Sequence, residues 1–201
     1  MRDLVMRRDL PHGGFVELEP HWLSPEDARA LEALLKDELA WESREIVLFG
    51  RRILQPRLVA WAGSIEYRYS GQTLPPRPFD ETLGAIVDRV VRHVGVPFNH
   101  VLANRYRNGM DSMGMHSDDE PELGEAPVVC SLSFGAPRRF VLAPRGKGER
   151  VALTLTAGSL LVMGGACQEH YRHGVPKEPG LHGERISLTF RHVLRAPQAA
   201  S

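Results

Sequence analysis

Cysteine is nearly absent from this chain. Its 201 residues include only Cys130 and Cys167, which stand in apolar surroundings, too few for a disulfide scaffold and not spaced as a metal-binding pair. A reducing cytoplasm is the expected compartment. An excess of either charge is also missing. The 25 Lys and Arg residues balance 25 Asp and Glu residues, so no global field draws the chain toward nucleic acid or membrane, and any such partner must be met by a local patch. Long hydrophobic runs are missing too. No uncharged apolar stretch approaches the roughly 20 residues that span a bilayer, and the opening MRDLVMRRDLPHGG has no apolar region after its charges, as a signal peptide requires. Without repeats, low-complexity tracts or long linkers, the chain is expected to form one soluble domain, 1–201, acting as a monomer away from membranes.

What is present is well-punctuated secondary structure. Ser24-Pro25-Glu26-Asp27 combines a capping side chain, a proline in the first turn and early acids, which predicts a helix running to about Leu39. A second helix is expected after Asp80, where Leu83, Ile86, Val87, Val90 and Val91 recur at helical spacing. Between them EIVLFGRRIL, residues 45–54, has the pattern of two short strands around Gly50. From Asn99 onward the chain turns into short β-type runs: HVLANRYR, PVVCSLSF, RRFVLAP, RVALTLTAGSLLVM, EHYRHGVP and RISLTFRHVL. Gly or Pro separates most of them, as in an antiparallel sandwich or barrel. The expected organisation is an N-terminal region of helices and hairpins, 1–95, followed by a compact β core, 96–195.

RISLTFR, residues 185–191, carries the first chemical signal. In a strand Ile186, Leu188 and Phe190 face a core, while Arg185, Ser187, Thr189 and Arg191 face the other way. Arginine forks hold carboxylates in bidentate geometry. Two of them on Cα atoms ~20 Å apart leave room between converging side chains for a small dicarboxylate. MHSDDEPELG places His116 and Asp118 two apart, so at a strand end both leave the same face. EHYRHGVP offers His170 and His173, which an extended segment points in opposite directions, so only one of them completes the set. Two imidazoles and one carboxylate with open positions suit non-heme ferrous iron and oxygen activation, and a dicarboxylate beside such iron points to 2-oxoglutarate. Asn104 and Tyr106, again two apart, add neutral hydrogen-bond donors on one face.

With these residues in view, the chain resembles the AlkB family of iron- and 2-oxoglutarate-dependent dioxygenases. NRYRNG, HSDDEPEL, SFGAPRRF, AGSLLVM, HYRHGVP and RISLTFR occur in the family's order, and the matching stretch runs from about Phe49 to the end of the β core. The resemblance implies an α+β fold: a double-stranded β-helix, or jelly-roll, core with flanking helices and an N-terminal substrate-recognition region. It implies Fe(II), 2-oxoglutarate and O2 as cofactor and cosubstrates. His116, Asp118 and His173 then look like the iron ligands. Asn104, Tyr106, Arg185, Thr189 and Arg191 look like the 2-oxoglutarate contacts, with one arginine at each carboxylate.

The same resemblance implies oxidative demethylation of alkylated bases in DNA, or in RNA, releasing formaldehyde and succinate. IEYRYSG is similar to the family's segment around a flipped base, which makes Tyr67 and Tyr69 the stacking pair and Ser70 a nearby polar contact. Glu120 falls where the family places a carboxylate near the exocyclic amine. Adenine or cytosine methylated on a Watson–Crick ring nitrogen is cationic, so a carboxylate there favours it over the neutral base. Phe49, just before a turn glycine, resembles the Phe-Gly finger of members acting on duplex DNA. Arg51, Arg52 and Arg57, with Arg138, Arg139, Arg145 and Lys147, are the candidate phosphate contacts. Fold does not fix function, and the alternative is a same-fold dioxygenase hydroxylating a protein, lipid or small molecule.

Overall fold

A computed structural model of the protein describes residues 5–48, 51–69 and 72–194, without the side chains at 47, 48, 69 and 72. In chain order the strands are β1 (Met6–Asp9), β2 (Phe15–Glu19), β3 (Glu45–Leu48), β4 (Arg51–Leu54), β5 (Leu58–Gly63), β6 (Tyr67–Tyr69), β7 (Gln72–Leu74), β8 (His100–Tyr106), β9 (Met113–His116), β10 (Val129–Gly135), β11 (Arg138–Pro144), β12 (Val151–Leu155), β13 (Leu160–Gly164), β14 (Tyr171–Val175) and β15 (Arg185–Arg191). The helices are α1 (Pro25–Glu38), α2 (Glu81–Val94) and α3 (Cys167–His170).

Both expected long helices form, and their ends follow capping chemistry. Ser24 Oγ accepts the Asp27 N–H at 3.0 Å, and Asp80 Oδ1 accepts the Leu83 N–H at 2.6 Å. Gly95 ends α2 in the left-handed region at φ 79°, where a side chain would be strained.

Seven strands in the order β1-β2-β13-β10-β15-β8-β5 form the larger sheet, and β12-β11-β14-β9 form the smaller one. Ladders in both are antiparallel, and two hairpins, β3-β4 and β6-β7, stand apart from them. The alternation in β15 decides the layering. Ile186, Leu188 and Phe190 join a core with Leu35 of α1 and with Leu83, Ile86, Val87 and Val90 of α2. A second core lies between the sheets, where Val129, Leu161 and Met163 of the larger sheet meet Phe140, Leu142, Val151 and Leu155 of the smaller. Leu188 and Leu142 have no exposed surface, and truncating either to Ala costs about 2–5 kcal/mol. The chain is thus helices on sheet on sheet, a jelly-roll core with its polar interior on the inner face of the larger sheet.

Three differences from expectation have simple causes. The N-terminal strands β1 and β2, which no strong periodicity announces, extend the larger sheet by pairing β2 with β13. Because β5 also pairs with β8, residue 95 marks no structural boundary: the N-terminal part supplies both outer regions of the same sheet. Finally, Cys167–His170 is a short helix rather than extended chain. His170 therefore sits outside β14, its ring centroid 4.4 Å from that of His12.

Candidate active site

The site starts from strand pairing. His116 ends β9 and pairs across the sheet with His173 of β14, which brings their ring centroids to 4.4 Å. Such proximity requires close backbones. Gly174 has no Cβ, and one added there would lie 2.8 Å from the Met113 carbonyl oxygen. Asp118 lies just beyond the end of β9, and its backbone N–H is held by Gln168 Oε1 at 3.0 Å. One ligand atom from each of His116, Asp118 and His173 lies within 4.8 Å of the others.

Their electrostatics match a metal centre. Burial pushes the Asp118 carboxyl up, but Arg191, His173 and His116 outweigh it and hold the group at about 2. Burial is the main cause that lowers both imidazoles, His173 to about 3. At neutral pH the trio is therefore one carboxylate and two neutral rings, the protonation state a metal requires. The 3.5 Å approach of His173 Nε2 to Asp118 Oδ2 is accordingly not an ion pair at that pH. His116 Nδ1 lies 2.9 Å from the Gly114 carbonyl; donating there, it leaves the Nε2 lone pair for a metal. Asp118 Oδ2 is buried with no hydrogen-bond partner, so a cation among these donors fits an otherwise unsatisfied charge.

The other end of the cavity is built to take an anion. On the inner face of the larger sheet, Arg185 pairs with Tyr106 and Ser187 with Asn104, while Thr189 pairs with Ser131. Together with Arg191, His116 and His173 these residues line one cavity. Arg185 is 1% exposed. Its Nη2 donates to Ser133 Oγ at 2.9 Å, but Nε and Nη1 are buried with no hydrogen-bond partner. A buried cation with idle donors is costly, and burial, opposed by Tyr106 and assisted by Arg138, lowers its pKa. A carboxylate at these two atoms relieves both costs.

The two arginines differ in role. Arg191 donates from Nε and Nη2 to Asp118 Oδ1 at 3.1 and 2.7 Å, so in this structure it grips the Asp118 carboxylate. Asn104 is likewise engaged, because Arg57 Nε donates to its Oδ1 at 2.7 Å.

The inward position of Arg57 corrects the expectation of a phosphate contact. It is 6% exposed and orients Asn104, which anchors the cavity. Arg138 is corrected in the same way. Its guanidinium is buried, donating to Glu178 and to the carbonyls of Asn108, Asp111 and Pro176, so it pins two loops instead of facing solvent. Arg145 faces outward but is bonded to Asp119 and to Ser117 Oγ. Arg51, Arg52, Arg139 and Lys147 are exposed.

Of the expected base contacts, Glu120 is half-buried, and the Tyr67 hydroxyl donates to its Oε2 at 2.9 Å. Burial, reinforced by Asp118, raises the Glu120 carboxyl. Tyr67 has no exposed surface and packs edge-on against His100 at 4.8 Å. Its ring thus supports Glu120 from behind and presents no open face for stacking, which corrects half of the expected pair. Phe49, Ser70 and the Tyr69 side chain lie outside the described residues. Sequence reasoning missed Gln168, whose signal was a lone amide in the apolar run LVMGGACQ, and the inward roles of Arg57 and Arg138, which have no local signal.

Comparison with known proteins agrees with this geometry. Residues 15–191 match the model of the 2OG-Fe(II) oxygenase superfamily. The chain is 40% identical over 198 residues to the human alpha-ketoglutarate-dependent dioxygenase alkB homolog 3, covering 93% of this chain and 66% of the relative. It is 38% identical over 160 residues to the mouse DNA oxidative demethylase ALKBH2, covering 75% of this chain and 67% of the relative. The matched stretch therefore spans just under two thirds of the first relative. Among solved structures, that of OsALKBH1 superposes with a TM-score of 0.61 at 16% identity, covering 93% of this chain and all of that one, which speaks to fold alone.

Proposed function

The chain belongs to the AlkB family within the 2OG-Fe(II) oxygenase superfamily, and from that premise we propose that it is an oxidative demethylase removing N-linked alkyl groups from adenine or cytosine in DNA, with RNA the second candidate polymer. The observation that carries this reading is one cavity lined by both His116 and His173, which cluster with Asp118, and by Arg185 with its idle guanidinium atoms.

In this reading His116, Asp118 and His173 hold Fe(II). Arg185, with Asn104, Tyr106 and Thr189, holds 2-oxoglutarate, and Arg191 orients Asp118 while facing the cosubstrate's other end. When bound, the iron, 2-oxoglutarate and O2 supply the oxidation that turns an N-methyl group into an N-hydroxymethyl group, which leaves as formaldehyde. The chain's own contribution is positional. Arg191 sets the Asp118 carboxylate and Gln168 its backbone N–H, Gly114 sets the His116 tautomer, and Arg57 sets Asn104. The methyl group of a paired base is inaccessible, so the nucleotide must leave the stack. Glu120, steadied by Tyr67, then favours a cationic lesion over the neutral base. Tyr69 as the stacking ring, Ser70 as a polar contact and Phe49 as a wedge in duplex DNA complete the reading from the sequence resemblance. Two buried free cysteines support a reducing cytoplasm, no described helix is long and apolar enough to cross a membrane, and the proposed working form is a monomer.

The test is formaldehyde release from oligonucleotides carrying ring-nitrogen methyl groups, single- and double-stranded, with Fe(II) and 2-oxoglutarate. Release that disappears in His116→Ala is expected. Succinate production without any demethylation would move the substrate to another class.

A further inference from the structure

The smaller sheet carries a trough where its side chains are small. Ala152 of β12 pairs with Val141 of β11, and Gly114 of β9 has nothing within 4 Å of the point where a side chain would begin. With so little bulk, these residues border a groove of about 520 Å³. Its charge is one-sided. Arg139, Arg150 and Lys177 line it, and no carboxylate does. All three are exposed, and among the described residues none of them makes an ion pair. The acids next to Arg150 and Lys177 in the chain are committed elsewhere, Glu149 to Arg8 and Glu178 to the buried Arg138, each at 3.0 Å. In a chain whose charges balance, such a patch is a local device for gathering anions.

The trough backs onto the cavity of the candidate active site. Met113 and Val175 line both. They also form the end of the β9–β14 ladder: Pro176 has no N–H to continue it, and the Ser112 N–H turns away to the Pro56 carbonyl. Past that pair the two loops are stapled by Arg138, whose Nη2 donates to the carbonyls of Asp111 and Pro176 at 2.9 and 2.8 Å. The cavity itself has a volume of about 30 Å³, room for water but not for a five-carbon dianion, so its wall must give way to admit one. Cations lead inward from this side: Arg138 and Arg185 stand 5.4 and 5.2 Å from the same Tyr106 ring.

We propose that this trough is the vestibule through which the dicarboxylate cosubstrate enters the cavity and its dicarboxylate product leaves, apart from the Tyr67 and Glu120 side that takes the base. The inference rests on the oxygenase reading above. Arg139, Arg150 and Lys177 gather the dianion, the ladder end at Met113 and Val175 parts, and Arg138 and then Arg185 draw it in. Because β9 is the outer strand of the smaller sheet, parting it from β14 disturbs a single ladder, which makes the opening local. Cosubstrate can then be renewed while nucleic acid stays bound.

The experiment mixes anaerobic, Fe(II)-loaded full chain with 2-oxoglutarate in a stopped-flow instrument and follows the visible absorption that a chelating keto acid gives ferrous iron. The triple variant Arg139→Glu, Arg150→Glu, Lys177→Glu should associate at least about tenfold more slowly at low salt, with release unchanged, and should lose the ionic-strength dependence of the wild type. Ala152→Trp, which fills the trough from its exposed side, should slow association and release by the same factor and leave the affinity as it was, as obstruction of a route does. A saturating methylated oligonucleotide should leave the wild-type association rate within about twofold. Wild-type association in the triple variant, with its oligonucleotide binding weakened or not, overturns the inference alone, as does either rate unaltered in Ala152→Trp or entry blocked by the oligonucleotide. No absorption change from metal-loaded wild type at any 2-oxoglutarate concentration overturns the oxygenase reading and this inference with it.

Discussion

Replacing Arg185 by methionine should separate stability from binding. In the absence of cosubstrate the guanidinium is fully buried, bonded to Ser133 Oγ, and left with Nε and Nη1 unpartnered. Methionine fills much of the same volume without a charge. Losing the Ser133 bond costs about 1 kcal/mol, and release from burying an uncompensated cation offsets it, so metal-free protein should stay within about 1 kcal/mol of wild type. Binding moves much further. Two charge-assisted hydrogen bonds to a carboxylate are worth about 1.5–3 kcal/mol each, so their loss should weaken 2-oxoglutarate at least about a hundredfold. Calorimetric titration of 2-oxoglutarate into anaerobic Fe(II)-loaded protein reads the second quantity, and urea unfolding of the metal-free protein reads the first. A change in affinity below about fivefold, less than 1 kcal/mol, would refute the carboxylate assignment. A large loss of stability with affinity retained would show that Arg185 is a structural cation.

Three other outcomes follow from the same geometry. Arg191→Met frees Asp118 Oδ1 from two donated bonds and should weaken metal binding about 10–100-fold, as loss of a partner behind a ligand does; unchanged metal titration would contradict it. Arg57→Gln should weaken 2-oxoglutarate through Asn104 while leaving the salt dependence of oligonucleotide binding unchanged, whereas a phosphate contact would lower that slope by about 0.9 per charge removed in duplex DNA. His100 is lowered to about 3, chiefly by burial and then by Arg191. The unfolded chain takes this proton near pH 6.5 and the folded chain refuses it until about 3. The His100 contribution to stability is therefore complete above that window and is lost by about 1.4 kcal/mol per pH unit inside it. His173 refuses its proton over the same window, so His100→Phe should make the acid-unfolding slope shallower without abolishing it, and identical curves would refute the assignment.

The reach of sequence reasoning shows in particular residues. Ser24 was legible as a helix cap because a cap is a local hydrogen bond, satisfied within three residues, and the helix after Asp80 was legible from its apolar spacing. The two faces of RISLTFR were legible because strand alternation is a property of the backbone, and the structure sends one face to the helices and the other to the cavity. The fate of EHYRHG was harder. Its last residues form β14, yet the segment begins as α3 because four residues carry too little periodicity to separate helix from strand.

The sequence by itself determined the kinds of group available and their order: a histidine and an aspartate two apart, a later histidine pair, and two arginines on one strand face. Those are matters of covalent spacing and backbone period, which operate over a few residues. Tertiary structure decided what each charge answers to. Register between strands distant in the chain set His116 opposite His173 and Tyr106 opposite Arg185, and burial then forced every cation on that inner surface to find a partner or stay idle. Arg191 found Asp118, Arg57 found Asn104, and Arg185 kept two donors unused. An arginine reads the same in sequence whether it faces solvent or a closed cavity; only packing removes the water that makes the two equivalent.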